Sequence, residues 1–308
     1  MIRRNFIKTV ALTGSAISVS PGYTLYPADP KKVGIGFLGV GSRGRNYLRM
    51  KNKIIFLFLV VLSTGIKAQP EFSSHRGSSV DAPENTIASV NLAWEQGADA
   101  VEIDVYLSKD NRLMVIHDSN TKRTSGQDYL VKATSSDILR ELDVGSFKDE
   151  KFRGERIPFL EEVIATVPPN KKLIIELKCG TEGLPFLKNV VAKCGKKRQL
   201  DFICFDFQTI TAAKKMFPKN KCHWLMNGKE GLEEKLKTAA KAKLDAVDIR
   251  HSDIDEKIVK LAHKLNLDVV AWTIDDPVEA ERLIGLGVDG IESNCVPCLK
   301  SKLSEKQN

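Results

Sequence analysis

Between Glu71 and the carboxyl terminus, short apolar runs rich in β-branched residues alternate with stretches whose apolar positions recur at helical spacing. This alternation is typical of an α/β protein in which a parallel sheet is wrapped by helices. The strands predicted from it are 71–76, 100–107, 112–117, 172–178, 201–206, 222–226, 245–250, 268–274 and 289–293. The helices predicted from it begin near Thr86, Phe159, Gly183, Thr209, Gly231, Asp255 and Pro277.

Nine predicted strands are one more than the eight of a closed (β/α)8 barrel. The surplus lies within 100–117, because Lys109-Asp110-Asn111 is typical of a hairpin turn. The pattern leaves open which arm of that hairpin leaves the barrel. Residues 119–158 show little strand–helix rhythm and contain Ser, Thr, Gly and charged residues, so we expect a small insertion there, after the strand that ends at His117.

The charge is distributed unevenly along the chain, whose net formal charge is +8. Residues 1–69 contain eleven Lys and Arg against one acid, Asp29, which leaves 36 basic against 38 acidic residues in 70–308. A nearly neutral folded part does not favour a nucleic-acid partner.

The amino-terminal residues contain two export signals in series. The first, Arg3-Arg4-Asn5-Phe6-Ile7-Lys8, resembles a twin-arginine signal and precedes a G-x-G-x-x-G fingerprint at 39–44. Together they resemble the start of an exported protein of the glucose-fructose oxidoreductase family. A dinucleotide site needs an acid about 20 residues after the fingerprint. No Asp or Glu occurs between Asp29 and Glu71, so the alternative of a nicotinamide oxidoreductase is disfavoured.

The second signal has a basic head at 50–53, an apolar core at 54–62 and a small residue, Ala68, at a plausible cleavage point. Its apolar core is short for a membrane span, which takes about 20 apolar residues. We therefore expect 1–49 to be an extraneous leader stub, 50–69 a secretory signal peptide, and 70–308 an exported barrel domain, periplasmic or secreted. No stable membrane span is expected in the mature protein.

Pairs of functional residues occur two positions apart on two predicted strands. Glu102 and Asp104 share one face of their strand, and Glu176 and Lys178 share one face of a later strand. In a βα barrel, functional groups gather at the carboxyl ends of the strands. Two carboxylates on one face repel each other unless a cation lies between them. Ligation by oxygen alone favours Mg²⁺ or Ca²⁺ over zinc.

Two histidines, His75 and His117, close predicted strands at the same rim. One histidine could take a proton from an attacking hydroxyl while the other gives one to a leaving alcohol. Arg76 and Lys178 could hold the non-bridging oxygens of a phosphate. Cleavage of a phosphodiester with a divalent metal requires this combination of groups.

Six short motifs follow the order and spacing of the glycerophosphodiester phosphodiesterase family, which the chain therefore resembles from about residue 70 to about residue 300. They are His75-Arg76-Gly77, Ala82-Pro83-Glu84-Asn85-Thr86, Glu102-Ile103-Asp104-Val105, His117-Asp118, Ile175-Glu176-Leu177-Lys178 and Trp272-Thr273. The resemblance implies a TIM-type (β/α)8 barrel, a small insertion after the second histidine, a divalent metal, and hydrolysis of glycerophosphodiesters to glycerol 3-phosphate and an alcohol. The residue roles that it implies are metal ligation by Glu102, Asp104 and Glu176, acid–base catalysis by His75 and His117, and phosphate contacts from Arg76 and Lys178.

The chain departs from the family at two places. The family often has Ser-Phe after the fifth strand, where this chain has Cys204-Phe205-Asp206, and a closing Thr-Asp, where it has Glu292-Ser293-Asn294. These changes bear on substrate preference more than on the metal or the histidines. Trp272 could line the site against the substrate, or it could be core packing.

Two alternatives share the barrel fold. A related phosphodiesterase acting on phospholipid head groups would be favoured by a large apolar rim, which is not obvious in the sequence. A non-catalytic binding protein is disfavoured because both histidines are intact. The Cys295-Val296-Pro297-Cys298 spacing is that of a redox motif, and a zinc site is not expected without a second pair. Export would permit disulfides among the six cysteines.

Overall fold

The computed structural model describes residues 69–305. The leader stub expected at 1–49, its oxidoreductase resemblance, and all but Gln69 of the expected signal peptide lie outside the described residues. No helix in the described part of the chain is both long enough and apolar enough to cross a membrane.

Eight parallel strands form a closed barrel, which confirms the TIM-type fold. Each barrel strand pairs with the next, and the first pairs with both the second and the last, so that the sheet has no open edge there. All of the strands except β3 belong to the barrel. The strands are β1 (Glu71–Ser74), β2 (Ala100–Leu107), β3 (Leu113–Val115), β4 (Lys172–Leu177), β5 (Leu200–Cys204), β6 (Cys222–Met226), β7 (Ala246–Arg250), β8 (Asp268–Trp272) and β9 (Gly290–Ser293).

The surplus strand is β3, the second arm of the predicted hairpin. It runs antiparallel to β2, with Val115 opposite Val105 and Leu113 opposite Leu107. The turn places Asn111 at a φ of 63°, a left-handed conformation that Asn tolerates well, and its N–H donates to the carbonyl of Ser108 at 3.0 Å. The arm that leaves the barrel is therefore the one that leads to the second histidine.

The seven predicted helices lie between consecutive barrel strands and begin within a few residues of the predicted positions, and the structure adds two helices within 119–158 and a last helix after β9. Three of them start at Asp206, Asp255 and Asp276, whose carboxylates accept hydrogen bonds from backbone N–H groups of the first turn. The α-helices are α1 (Ile87–Glu95), α2 (Lys122–Ser125), α3 (Ser136–Glu141), α4 (Leu160–Thr166), α5 (Leu184–Lys193), α6 (Phe207–Met216), α7 (Leu232–Lys241), α8 (Glu256–Lys264), α9 (Pro277–Leu286) and α10 (Val296–Glu305). Short 3₁₀ helices occupy Val131–Ala133, Glu150–Phe152, Thr181–Gly183, Lys197–Gln199 and His251–Asp253.

Alternate residues of β2 serve two different layers. Val101, Ile103 and Val105 are buried in the large apolar cluster between the barrel and its helices. Glu102 and Asp104 point the opposite way, into the barrel, and both are buried. Because side chains alternate along the strand, the residues between these three apolar positions place two carboxylates inside the barrel.

Residues 119–158 share a small apolar cluster with β3 and the residue after it. Helices α2 and α3 belong to this segment, and its Lys148 donates from Nζ to the carbonyl of Ser79, in the loop that follows β1, at 2.9 Å. The buried members of the cluster are Met114, Ile116, Val131, Leu139, Leu142, Val144 and Ile157. The segment is therefore packed against the rim of the barrel beside the loop that carries the first histidine.

Candidate active site

Three carboxylates meet inside the rim of the barrel. Glu102 and Asp104 project from β2, and Glu176 projects from the neighbouring β4, where the register places it directly opposite Asp104. All three residues are at least nine-tenths buried, and one oxygen from each lies within 4.8 Å of the others. Three such oxygens could be ligands of a single cation.

Asp104 is held in its charged form by the groups around it. Burial favours the neutral acid, but Lys178, His117 and Arg76 lower the pKa of Asp104 below its usual value. Nζ of Lys178 lies 3.2 Å from Oδ1, and the amide of Asn85 donates to Oδ2 at 2.8 Å. These contacts compensate the buried negative charge.

Glu102 and Glu176 are in the opposite situation. Burial, followed by repulsion from Asp104, raises the pKa of Glu176 to about 7 even though Nζ of Lys178 lies 2.8 Å from its carboxylate. Burial and the neighbouring carboxylates, Asp104 first, also raise the pKa of Glu102 well above its usual value. The cluster therefore carries more carboxylates than the nearby cations can keep ionised, and its donor set fits a divalent cation.

His75 follows β1 and is oriented by Asn294. Nδ1 of His75 lies 2.7 Å from Oδ1 of Asn294, whose amide nitrogen in turn donates to Asp275 at 2.7 Å. An amide oxygen only accepts, so Nδ1 carries the proton and Nε2 is the free basic nitrogen. Burial, and then the charge of Arg76, lower the pKa of His75, which favours the neutral imidazole. A neutral ring with a free Nε2 can accept a proton.

His117 reaches the site by a route that the sequence did not indicate. The sequence left open which arm of the hairpin belongs to the barrel, and the strand before His117 is β3, which lies outside the barrel and runs antiparallel to β2. The N–H of Ile116 donates to the carbonyl of Asp104 at 3.0 Å, which places the next residue beside the carboxylates. Nδ1 of His117 donates to Asp118 at 2.7 Å, so Nε2 is again the free nitrogen.

The two cationic side chains both face the carboxylates. Arg76 has a φ of 57°, and its N–H donates to Glu102 at 3.0 Å. Its Nη1 donates to Glu84 at 2.9 Å, while its Nε lies 3.5 Å from Asp104 without a hydrogen bond. Lys178 contacts Asp104 and Glu176 as described above. The structure thus brings both cations, both histidines and all three carboxylates together.

Trp272 ends β8 and contacts the ring of Phe205. Its ring meets the partly exposed ring of Phe205 edge to face at 5.7 Å. It also packs against the small apolar cluster of Ala100, Ile174, Ile203 and Leu225 inside the barrel. Its indole N–H is buried, and within the part of the chain that the structure describes it has no hydrogen-bond partner. The position combines core packing with an unsatisfied donor, so both interpretations of Trp272 have support.

Several residues of the site were not assigned a role from the sequence. Glu84 and Asn85 lie in a motif that carried the family resemblance, yet the motif alone does not show that their side chains hold Arg76 and Asp104. Glu292 was noted only as a departure from the family pattern. It is buried, with one oxygen 3.9 Å from Nε2 of His75, and burial and Asp248 raise its pKa well above its usual value. Its place at the end of β9 was the available signal.

The cysteines have structural positions. Cys295 and Cys298 form a disulfide. Cys179 and Cys204 are buried thiols in or beside strands, and burial raises the pKa of Cys179 to about 11.

Comparison with known proteins places this barrel in a family of enzymes. The profile of the glycerophosphoryl diester phosphodiesterase family matches residues 75–296. A glycerophosphodiester phosphodiesterase of Caldanaerobacter subterraneus subsp. tengcongensis is 34% identical over 223 residues, which are 71% of this chain and 91% of the relative.

Solved structures agree with this result. An Oleispira antarctica phosphodiesterase in complex with the product sn-glycerol-3-phosphate is 31% identical, with a TM-score of 0.67 over 76% of this chain and 97% of that one. A glycerophosphodiester phosphodiesterase from Thermotoga maritima is 27% identical, with a TM-score of 0.63 over 77% of this chain and 99% of that one. The protein is thus an α/β-barrel phosphoric diester hydrolase. It belongs to the glycerophosphodiester phosphodiesterase family, which confirms the resemblance found in the sequence.

Proposed function

We propose that the chain hydrolyses glycerophosphodiesters to glycerol 3-phosphate and an alcohol, with one divalent cation, Mg²⁺ or Ca²⁺, and with His75 and His117 as the acid–base pair. The observation that carries the proposal is the meeting of three buried carboxylates with two histidines whose Nε2 atoms are free. The complex of the Oleispira relative with sn-glycerol-3-phosphate supports this product.

The three buried carboxylates support the proposal of a bound cation. Glu102, Asp104 and Glu176 would hold it, since their oxygens lie within 4.8 Å of one another and two of the three carboxyl groups have a raised pKa. When bound, a divalent cation would supply electrostatic stabilisation of the charge that develops on the phosphoryl oxygens.

The histidines would move the two protons of the reaction. One Nε2 takes a proton from the attacking water as its oxygen bonds to phosphorus, and the other ring, protonated, gives a proton to the alkoxide that leaves when its P–O bond breaks. The orienting acceptors, Asn294 for His75 and Asp118 for His117, fix which nitrogen faces the site. Arg76 and Lys178 would bind the non-bridging phosphate oxygens, for which Arg76 has an Nε–H that makes no hydrogen bond to any of the described residues.

A second candidate, action on phospholipid head groups, is favoured by one observation. Val80 is 48% exposed and Phe147 is 42% exposed, and they adjoin Ser79 and Lys148, which hydrogen bond to each other. Two exposed apolar side chains thus lie close to the loop that carries His75, where an interfacial substrate would approach.

The test is a hydrolysis assay with Mg²⁺ or Ca²⁺ against glycerophosphocholine, glycerophosphoethanolamine, bis-nitrophenyl phosphate and phosphatidylcholine vesicles, with each product identified. We expect glycerol 3-phosphate from the first two substrates. Hydrolysis of vesicles alone would favour the second candidate. Binding of glycerophosphocholine without turnover at any metal concentration would favour a non-catalytic binding protein.

A further inference from the structure

A continuous chain of charged side chains joins His117 to Arg76 at the edge of the site. It runs through Asp118, Arg123 and Glu84, and every link is a hydrogen bond of 2.7 to 2.9 Å. The middle member, Arg123, lies on α2, the first helix of the 119–158 segment. The segment thereby contacts two groups of the proposed mechanism through one guanidinium.

All three nitrogens of the Arg123 guanidinium donate hydrogen bonds. Nε donates to Oδ2 of Asp118 at 2.7 Å, while Nη1 and Nη2 donate to the two oxygens of Glu84 at 2.8 Å each. A lysine ammonium has no planar fork and could not make the bidentate contact while also holding the second carboxylate.

Each of the two carboxylates that Arg123 holds also accepts a hydrogen bond from a residue of the proposed mechanism. Oδ1 of Asp118 accepts the proton of His117 Nδ1, and Oε1 of Glu84 accepts from Nη1 of Arg76. If Asp118 turned away, His117 would lose the acceptor that fixes its tautomer and leaves Nε2 free. If Glu84 turned away, the guanidinium of Arg76 would lose one of its anchors.

We propose that Arg123 is a positioning residue that fixes the tautomer and orientation of His117 through Asp118 and the direction of Arg76 through Glu84. The inference rests on the proposed function, because it assigns Arg123 to the acid–base and phosphate-binding groups of that mechanism. Arg123 is not a catalytic residue, since its three hydrogen-bonding nitrogens are used on Asp118 and Glu84.

A role in stability alone would predict a different result. The side chain of Arg123 is 44% exposed, and exposed ion pairs contribute little to stability. A misplaced proton-transfer group, in contrast, can cost about 10² in rate. A positioning role therefore predicts a large change in turnover with a small change in melting temperature.

The experiment compares Arg123→Ala with Lys122→Ala in the full chain. Lys122 is the matched control because it precedes Arg123 on the same helix, is itself exposed, and has its Nζ 3.8 Å from the exposed Asp128. We expect Arg123→Ala to lower kcat on glycerophosphocholine about 10- to 100-fold, with a smaller change in KM and only a small change in the melting temperature of either variant. We expect Arg123→Lys to recover only part of the loss, and low concentrations of guanidinium ion to restore turnover to Arg123→Ala but not to change the control.

A double-mutant comparison tests whether Arg123 acts through Asp118. Removing Arg123 in an Asp118→Asn background should cost much less than it does in the wild type. Equal costs in the two backgrounds, turnover of Arg123→Ala equal to that of the control, or a loss that guanidinium does not restore and that follows the melting temperature would each overturn the proposal.

The tautomer of His117 gives a readout that needs no activity. The chain has five histidines, so imidazole ¹⁵N signals can be assigned with a His117→Gln variant. The wild type should show Nδ1 protonated, and Arg123→Ala should show a mixture of tautomers. An unchanged tautomer overturns the proposal. Absence of glycerophosphodiester hydrolysis by the wild type instead overturns the proposed function, so the two failures are distinguishable.

Discussion

Asn85 and Asp104 are joined by two hydrogen bonds that run in opposite directions. The amide of Asn85 donates to the carboxylate of Asp104 at 2.8 Å, and its oxygen accepts the backbone N–H of Asp104 at 3.0 Å. Asn85 has a φ of 58°, a left-handed conformation that Asn adopts more readily than most residues. One side chain from the loop after β1 thus fixes both the strand position and the carboxylate of a proposed metal ligand.

Replacing Asn85 with Ala should lower both stability and divalent-cation affinity. The change leaves a buried N–H and a buried carboxylate oxygen without their partner, which costs about 1 to 3 kcal/mol. Urea unfolding and calorimetric cation titration measure the two effects. Asn111→Ala is the matched control, because Asn111 has a similar φ of 63° in the exposed hairpin turn. Equal losses of stability in the two variants, with unchanged cation affinity in both, would show that only the backbone conformation of Asn85 matters.

Removal of either histidine should lower turnover while the fold is retained. Each proton transfer is worth about 10² to 10⁴ in rate, so His75→Ala and His117→Ala should each lose an amount of that order in kcat. His263→Ala is the control, because His263 lies on α8 and pairs with Asp289. Near-normal turnover by either variant, measured with a natural glycerophosphodiester, would remove that histidine from the mechanism.

The raised pKa of Glu176 predicts how stability depends on pH when the cation is removed. Because the pKa is raised from its usual 4.5 to about 7, the folded state binds this proton more tightly than the unfolded state does. Its contribution to stability is therefore present below about pH 4.5 and is lost as the pH rises to about 7.

Melting in a chelator across this range, for the wild type and for Glu176→Gln, isolates the contribution of Glu176. The stability of the wild type relative to the variant should fall with rising pH, and saturating Mg²⁺ or Ca²⁺ should remove that fall. A relative stability that rises over the same range would be inconsistent with a carboxyl group whose pKa is raised.

The barrel could be predicted from the sequence because its strands and helices are local patterns. The period-two alternation of β2 placed Glu102 and Asp104 on one face correctly, and the hairpin turn at Asn111 accounted for the surplus strand. The route to His117 could not be predicted in this way, since it depends on which hairpin arm finds a partner in a closed sheet. That choice is a property of the whole sheet and not of a segment.

The side-chain contacts that support the site could not be predicted from the sequence either. Arg123 lies five residues after Asp118 but 39 residues after Glu84, and nothing in the spacing indicates that one guanidinium bridges the two. Glu292 was seen as a departure from a motif, although its burial beside His75 depends on packing across the barrel. Long-range side-chain contacts of this kind follow from the fold and not from the local pattern.

Deletion of residues 1–49 should leave the specific activity unchanged. The tandem export signals predict that the mature enzyme begins near Gln69 or Pro70, and the barrel strands start at Glu71. The measurement is the specific activity of the deleted and full chains, together with their melting temperatures. Loss of activity or of the cooperative melt on deletion would contradict the interpretation of 1–49 as an extraneous leader.

The proposed metal site predicts that one divalent cation both activates and stabilises the enzyme. Among the described residues, the permanently charged cations Arg76 and Lys178 lie beside Glu102, Asp104 and Glu176 and offset part of their charge. Mass action gives about 2.7 kcal/mol of stabilisation at a hundredfold excess of free cation over its dissociation constant. Glu102→Gln should weaken binding and reduce that stabilisation. The control is Glu161→Gln, which removes an exposed ion pair with Arg112 and should leave cation binding and the stabilisation unchanged.

The most direct measurement is a calorimetric titration of the chelated protein with Mg²⁺ and with Ca²⁺, with release of glycerol 3-phosphate followed in the same samples. We predict one bound cation per chain, no turnover in the chelated protein, and turnover that rises in proportion to occupancy. Full turnover in protein that holds no divalent cation would contradict the metal-dependent mechanism.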